Sequence, residues 1–185
     1  MTSEAVRETE RANDNEDRDA KTLATSMPDD VEEAARKLLE VASDKRVQIA
    51  SAESCTGGLL ASLLTDVEGY SGAFERGFVV YTPEAKCELL GIERQMVDDC
   101  GVVSRDVALA LAKSALNRSN AGLTVGITGF AGPGGEDDEE GLVHIAVARR
   151  GGDVDHREMH FGELGRGGVR IATIRTAIEM MRAAL

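Results

Sequence analysis

The sequence predicts an α/β protein, a three-layer α/β/α sandwich around a mixed, mostly parallel sheet. Three observations lead to this fold class. Segments with apolar residues at helical spacing alternate along the chain with short strand-like runs. The run AGLTVGITG at 121–129 is almost entirely apolar or small, which is typical of a strand covered on both faces. Two later runs meet around Gly151 and Gly152, which predicts an antiparallel hairpin.

The first half of the domain alternates helices with strands. In chain order the predicted elements are a helix at 28–45, a strand at 46–52, a helix at 57–67, a strand at 74–81 and a helix at 82–91. The first helix follows from valine, alanine and leucine at helical spacing behind an aspartate cap. Pro83 opens the third helix and Gly91 closes it, because proline suits a first helical turn and glycine a helix end.

The second half contains two helices and three strands. They are predicted as a helix at 105–118, strands at 121–129, 142–150 and 153–161, and a final helix at about 167–184. Ser104 supplies a cap for the first of these helices. A glycine-rich loop, GFAGPGGEDDEEG at 129–141, leads from the first of these strands to the second.

The length and composition predict one domain at 28–185, since 185 residues suffice for one substantial core. Residues 1–27 carry many charges and almost no apolar periodicity, which predicts a disordered acidic extension. No apolar run approaches the roughly 20 residues that cross a bilayer, and the amino terminus is unlike a signal peptide. We therefore expect a cytoplasmic protein without a membrane partner.

The formal net charge of −12 argues against a nucleic-acid partner, because neutralising phosphates requires clustered basic residues. Only five of the 21 basic residues are lysines, and such an acidic surface is halophile-like. An acidic tail on an ordinary acidic domain is the alternative. The three cysteines form no CxxC motif and have no paired histidine spacing, so we expect free thiols and no metal site. We also expect no cofactor.

The stretch SAESCTGGLLASLL at 51–64 runs from a strand through a glycine turn into a helix. This device aims backbone N–H groups and a helix N-terminus at an anion, and Gly57 and Gly58 allow close approach of a ligand. It lacks the Lys-Ser/Thr of a P-loop. The local pattern leaves three roles open for Ser54, which can cap the helix, hold a phosphate or attack a substrate. Thr56 is the other candidate cap and, with Gly57 and Gly58, a candidate substrate-binding residue.

The segment YTPEAK at 81–86 offers a partner for Ser54. Tyr81 ends a predicted strand, where open α/β sheets bind ligands, and Lys86 lies one helical turn further on. A serine is a weak nucleophile until a base takes its proton, and a lysine with a lowered pKa can be that base. The alternative for Lys86 is an ordinary solvated helix residue.

Backbone donors of the glycine-rich loop can meet a phosphate or a developing oxyanion. The candidates there are Thr128, Gly129, Ala131 and Gly132, with Gly134 and Gly135 beyond them. The alternative is a flexible loop with solvated acidic residues. Arg166 and Arg170 open the last helix, and their planar guanidinium groups suit phosphate as well as they suit surface ion pairs. The three histidines suggest no joint ligand set and are interpreted as structural.

Three separated motifs resemble one known family. They are AESCTGGLLASLLTDVEGYSGAFERGFVVYTPEAKCELLGI at 52–92, GVVSRDVALALA at 101–112 and VGITGFAGPGG at 125–135. In this order they resemble the CinA C-terminal domain family, also called the nicotinamide-nucleotide amidase family, over roughly residues 30 to 184. The N-terminal CinA domain of the longer members has no counterpart in the sequence, so we expect the stand-alone form.

The resemblance implies hydrolysis of the carboxamide of nicotinamide mononucleotide to nicotinate mononucleotide and ammonia, in pyridine-nucleotide salvage. The family's catalytic serine then falls on Ser54 and its tyrosine and lysine on Tyr81 and Lys86. Its late arginine falls on Arg166, with Arg170 as the other candidate. Thr128 and the glycine-rich loop would bind phosphate and ribose.

This sequence departs from the family pattern in two places. It has YTPEAK where the family commonly has YSNEAK, which changes the turn that carries Lys86. It also has ELGR where the family often has GDR, which affects the choice of arginine.

Two functional hypotheses follow. The first is an amidase acting on a pyridine mononucleotide, and the second is a nucleotide-binding or sensor module of the same fold without catalysis. The combination of Ser54, Tyr81 and Lys86 favours the amidase, because a pure binding module has no physical need for it. We also expect a homodimer, since a domain of this kind exposes a sheet edge.

Overall fold

The computed structural model describes residues 27–133, 135 and 138–185. The extension predicted at 1–27 lies outside the described residues except for Met27, which is buried against the core. The three-layer α/β/α sandwich is confirmed. Its six described helices are α1 Asp29–Asp44, α2 Leu59–Asp66, α3 Pro83–Leu90, α4 Arg94–Cys100, α5 Arg105–Asn117 and α6 Gly165–Ala184. Its strands are β1 Ile49–Glu53, β2 Phe74–Val79, β3 Leu123–Gly129, β4 Leu142–Arg149 and β5 Val154–His160.

The five strands form one mixed sheet in the order β2-β1-β3-β4-β5. Strand β1 pairs in parallel with both β2 and β3. Strand β4 is antiparallel to both β3 and β5. Four of the five strands therefore run in one direction and only β4 is reversed, which confirms the mixed, mostly parallel sheet. The antiparallel pairing of β3 with β4 was not predicted; only the hairpin of β4 and β5 was expected. Crossover helices bring β2 and β3 into parallel alignment with β1, whereas the described residues between β3 and β4 form no helix.

Helices cover both faces of the sheet. Helices α1, α2 and α6 pack with one another and with the sheet around the larger core cluster. Helices α3, α4 and α5 cover the opposite face, where Leu111 of α5 and Val80 belong to a second cluster. Apolar burial on both faces explains why β3 reads as a continuous apolar run.

Local signals predicted most helix ends correctly. The Ser104 hydroxyl accepts a hydrogen bond from the N–H of Val107 at the start of α5, and Gly91 ends α3 in a left-handed conformation. The aspartate cap of α1 is wrong, because Pro28 occupies that position without a side-chain hydrogen bond. Asp29 and Asp30 lie instead in the first turn, where their negative charges interact favourably with the positive end of the helix dipole. Helix α4 was not predicted.

The parallel strands bring the predicted site to one edge of the sheet. Ser54 follows the last residue of β1, Tyr81 lies just beyond β2, and Thr128 and Gly129 end β3. Carboxyl ends of parallel strands meet at the same edge, which is the usual ligand position in open α/β sheets. No helix among residues 27–133, 135 and 138–185 is both long and apolar enough to cross a membrane.

Candidate active site

Ser54 lies on the turn that joins β1 to α2. Its N–H donates to the carbonyl of Ile127 on β3 at 3.1 Å, and its own carbonyl accepts from the N–H of Gly57 at 3.1 Å. The residue is 7% exposed. The backbone on both sides of Ser54 is thus tied to the sheet and to the turn, and the side chain faces the cavity described below.

The N-cap residue of α2 is Gly58, and the capping side chain comes from Glu53, the residue before Ser54. Its carboxylate is fully buried and accepts from the N–H groups of Gly58 and Leu60, each at 3.1 Å, and of Ala61 at 2.8 Å. Neither candidate cap from the sequence fills this role. The Thr56 hydroxyl is buried and makes no hydrogen bond within the part of the chain that the structure describes.

This cap also corrects the expected anion site. The N–H of Gly57 donates a hydrogen bond to the carbonyl of Ser54, and the N–H of Gly58 donates one to the carboxylate of Glu53. Since an internal carboxylate occupies the N-terminus of α2, that helix end does not offer its N–H groups to a substrate anion. Gly57 and Gly58 are still needed for the turn, because both have positive φ angles, of 65° and 90°.

Lys86 reaches Ser54 from α3. Its Nζ lies 3.2 Å from Ser54 Oγ and donates to the carbonyl of Tyr81 at 3.1 Å. The lysine is 1% exposed, and burial lowers the pKa of its ammonium group from the usual value. Lys86 is therefore not a solvated helix residue. A buried amine with a lowered pKa beside a serine hydroxyl is equipped to accept that hydroxyl's proton.

The altered turn before Lys86 has a structural explanation. The Thr82 hydroxyl caps α3 by accepting from the N–H of Ala85 at 3.1 Å, and Pro83 fills the first helical position. Proline and a threonine cap both favour a helix start. The departure from the family's commoner YSNEAK therefore leaves Lys86 on a well-formed helix.

Tyr81 contacts Lys86 through its backbone and lines the cavity with its ring. The carbonyl holds the Lys86 amine, whereas the side chain is 64% exposed and lines the cavity. The hydroxyl of Tyr81 forms no hydrogen bond among residues 27–133, 135 and 138–185. The expected assistance of Tyr81 to Lys86 thus corresponds here to a contact of the carbonyl.

A cavity of about 350 Å³ opens beside Ser54 and Lys86. Its polar lining includes these two side chains, Thr128 and Arg166. Apolar walls come from residues on several segments, namely Tyr81, Pro83, Val102, Val103, Phe130 and Pro133. A concave, largely apolar site with a few convergent polar groups is the usual form of a small-molecule site.

The glycine-rich loop forms one wall of this cavity through Gly129, Ala131 and Gly132. The Thr128 hydroxyl donates to the carbonyl of Val102 at 2.7 Å, so it meets a ligand as an acceptor in this arrangement. A side chain at Gly132 would lie 3.2 Å from the Arg166 guanidinium. The absence of a side chain there leaves room for Arg166 at the cavity wall.

The two candidate arginines differ in what they contact. Arg166 is exposed and lines the cavity. Arg170 does not line it; its Nε donates to the carbonyl of Cys55 at 2.8 Å, and its guanidinium lies against Gly57. Arg166 is therefore the one placed to meet a ligand, and Arg170 holds the turn that carries Ser54.

Cys55 also lines the cavity, next to the serine. Burial raises the pKa of its thiol to about 12, so the group stays protonated and is a poor nucleophile. Glu53 and the wall residues Val102 and Phe130 were not among the site residues predicted from the sequence. A signal for Glu53 exists, since a carboxylate at the end of a buried strand needs internal partners.

The histidines lie on β4 and β5, away from the cavity lining. His144 and His156 contact each other through Nδ1 and Nε2 at 3.1 Å, and burial lowers the pKa of both. His160 is paired with Glu139 at 2.7 Å, which raises the pKa of its ring. Within the described ranges no group of three or more histidine, cysteine or acidic residues is placed to hold a metal ion.

Comparison with known proteins identifies relatives. Residues 31–185 match the model of the CinA C-terminal domain. A CinA-like protein of Akkermansia muciniphila is 48% identical over 109 residues, which is 58% of this chain and 26% of that protein. The chain spans roughly a quarter to two fifths of the length of the first curated relatives that it matches.

Solved structures share the whole fold. The competence/damage inducible protein CihA from Agrobacterium tumefaciens superposes with a TM-score of 0.82 at 45% identity, covering 85% of this chain and 96% of that one. A competence-damaged protein (CinA) superfamily protein from Escherichia coli gives a TM-score of 0.79 at 31% identity, covering 86% and 94%.

Proposed function

This chain belongs to the CinA C-terminal domain family, and from this premise we propose that it is an amidase that hydrolyses the carboxamide of nicotinamide mononucleotide. The products are nicotinate mononucleotide and ammonia. One observation carries the proposal: the buried Lys86 amine lies 3.2 Å from the Ser54 hydroxyl at the wall of a cavity. Burial of an amine in this position costs stability, and activation of Ser54 explains why it is there.

The proposed reaction has two stages. Neutral Lys86 takes the proton of Ser54 as Oγ attacks the carboxamide carbon, and the resulting ammonium group gives that proton to the departing amine. Ammonia leaves and an ester links the nicotinoyl group to Ser54. Lys86 then takes a proton from water, the hydroxide attacks the ester, and the proton returns to Ser54 Oγ.

The developing oxyanion needs nearby donors. The N–H of Cys55 forms no hydrogen bond to another of the described residues, and it directly follows the nucleophile on a strand-to-helix turn. Serine hydrolases with such a turn use this N–H as an oxyanion donor. We assign it this role, with further donors from the glycine-rich loop.

The 5′-phosphate is assigned to Arg166. Arg166 faces the cavity and makes no ion pair with a carboxylate in the described part of the chain, whereas Arg170 donates to the carbonyl of Cys55. Glu53 already fills the N-terminus of α2, so the phosphate is held away from that helix end. Thr128 and the glycine-rich loop would contact the ribose.

The test is release of ammonia from nicotinamide mononucleotide by the purified protein, at low and high salt. The proposal expects stoichiometric ammonia and nicotinate mononucleotide. Calorimetric titration with the same compound runs in parallel. Binding without ammonia release at either salt concentration would reject the amidase and favour the non-catalytic nucleotide-binding module.

A further inference from the structure

The Glu53 carboxylate is the most heavily bonded buried acidic group in the described chain. Oε2 accepts from the N–H groups of Gly58 and Leu60, and Oε1 accepts from the N–H of Ala61 and from the hydroxyl of Ser51 at 3.0 Å. The side chain is fully buried and does not line the cavity. Glu53 therefore cannot touch a substrate in the cavity.

The backbone of Glu53 links the two halves of the proposed dyad. Its carbonyl accepts from the N–H of Val80 at 2.8 Å. Val80 precedes Tyr81, whose carbonyl holds the Lys86 amine. On the other side, the peptide bond of Glu53 leads directly to Ser54.

Two segments thus meet at one residue. The side chain of Glu53 fixes the start of α2, which sets the turn from Ser54 to Gly58. Its main chain fixes the segment that leads to Lys86. The distance between Ser54 Oγ and Lys86 Nζ depends on both.

We propose that Glu53 is a positioning residue for Ser54. The Glu53 carboxylate holds the β1–α2 turn so that the serine hydroxyl stays within hydrogen-bond distance of Lys86. The proposal rests on the proposed function insofar as Ser54 is the nucleophile. It does not depend on which amide is the substrate.

The chemistry of the site requires a carboxylate here. Three N–H groups, from Gly58 and the first turn of α2, converge on it at the positive end of that helix, together with one hydroxyl. A glutamine offers only one carbonyl oxygen, and its amide nitrogen would face N–H donors. At least one helix N–H would lose its partner, and the turn would shift to regain one.

The experiment measures the reactivity of Ser54 directly. A fluorophosphonate probe forms a bond from Ser54 Oγ to phosphorus and releases fluoride, and mass spectrometry follows the modified Ser54 peptide. The variants are Glu53→Gln and Ser51→Ala, and each is compared with the chain that carries no substitution. Ser51→Ala removes one hydrogen bond to the carboxylate and leaves all three helix contacts, so it provides a mild test if Glu53→Gln fails to fold.

Thr124→Val is the matched control. Thr124 is fully buried on β3, and its hydroxyl donates to the carbonyl of Ala112 at 2.7 Å. It lies near the opposite end of β3 from Thr128 and the cavity. The substitution removes a buried hydrogen bond without altering the turn at Ser54, and thermal melts rank all variants by stability.

The proposal expects labelling of Ser54 to slow by about tenfold or more in Glu53→Gln, since small displacements of a reacting group have large kinetic effects. Ser51→Ala should slow it by about threefold, a loss of the size of one hydrogen bond. Thr124→Val should label at the normal rate. In the ammonia assay Glu53→Gln should lower kcat and leave KM within about twofold.

Equal labelling rates in the Glu53, Ser51 and Thr124 variants would overturn the positioning role and leave the amidase proposal standing. Slowing that tracks melting temperature across all three would overturn it as well. If Ser54 is labelled but no ammonia is released, the substrate proposal fails while the comparison of variants still decides the role of Glu53. Absence of any Ser54 labelling in the unmodified chain would overturn both.

Discussion

At the scale of single residues, Lys86 combines an ionisable amine with a buried position. Taking the charged form out of water lowers the pKa of Lys86, so the folded chain disfavours protonation there. Lys86→Met should abolish ammonia release and increase stability by about 1 kcal/mol, or roughly 2–4 °C in Tm for a chain of this size. A melting curve and the ammonia assay measure the two effects, and a destabilised Lys86→Met would contradict this account of the buried amine.

The same residue sets the expected pH dependence. Neutral Lys86 is the active base, so kcat/KM should rise with pH through the lowered pKa of Lys86. Between that pKa and the ordinary lysine value the unfolded chain binds a proton that the folded chain does not, so stability should also rise with pH in this window. Urea unfolding at several pH values measures the slope. Lys86→Met should reduce it, and an unchanged slope would contradict the lowered pKa.

Substitution of Arg166 and substitution of Arg170 should affect different kinetic constants. Arg166→Ala removes the proposed phosphate contact and should raise KM for nicotinamide mononucleotide by about tenfold to a hundredfold, the range of a charged hydrogen bond. Nicotinamide riboside, which lacks the phosphate, serves as the control substrate and should respond little. Arg170→Ala releases the carbonyl of Cys55 and should mainly lower kcat. Equal sensitivity of both substrates to Arg166→Ala would contradict the assignment.

At the scale of elements, some helix caps were predicted correctly from the sequence, whereas those of α1 and α2 were not. Ser104 and Gly91 act on their own helices within a few residues, so local patterns were sufficient to predict them. Thr82 acts in the same local way, although it was not predicted. The cap of α2 comes from Glu53 at the end of β1, across a turn of unusual conformation. Such a cap depends on how the strand and the helix are placed in space.

Helix α3 connects stability to the site, because its cap and its catalytic candidate lie one turn apart. Thr82→Ala should cost about 1 kcal/mol and also lower kcat, since the start of α3 positions Lys86. Ser104→Ala is the matched change, as it removes a comparable cap from α5. It should cost similar stability with a smaller effect on kcat. Chemical denaturation and the ammonia assay compare the two variants, and equal losses of kcat would contradict a specific role for the α3 cap.

At the scale of the whole molecule, the sequence was sufficient to predict the layers of the fold and the edge of the sheet at which the site lies. Buried runs and capped helices have clear signatures, and parallel strands bring Ser54 and Lys86 together from distant positions in the chain. The antiparallel pairing of β3 with β4 was not predicted, because the glycine-rich sequence between them carries no local signal for the direction in which the chain returns. The distinction between Arg166 and Arg170 likewise depends on which one faces the cavity, which spacing alone does not indicate.

The net charge of −12 gives a prediction for the whole chain. Salt screens repulsion among like charges and should favour the compact state. We expect Tm to rise as potassium chloride increases from low to molar concentration, and differential scanning calorimetry measures it. Sucrose at matched osmolality is the control for nonionic stabilisation. A constant or falling Tm would contradict the halophile-like interpretation of the surface.

The homodimer expected from the sequence also stays a prediction.

The most direct test of the central claim compares Ser54→Ala with the unmodified chain in two measurements, ammonia release from nicotinamide mononucleotide and affinity for the same compound. If Ser54 is the nucleophile, Ser54→Ala loses turnover and keeps its affinity nearly unchanged, because removal of one hydroxyl leaves the cavity and Arg166 in place. If Ser54→Ala releases ammonia at a near-normal rate, Ser54 is not the nucleophile and the proposed mechanism is wrong.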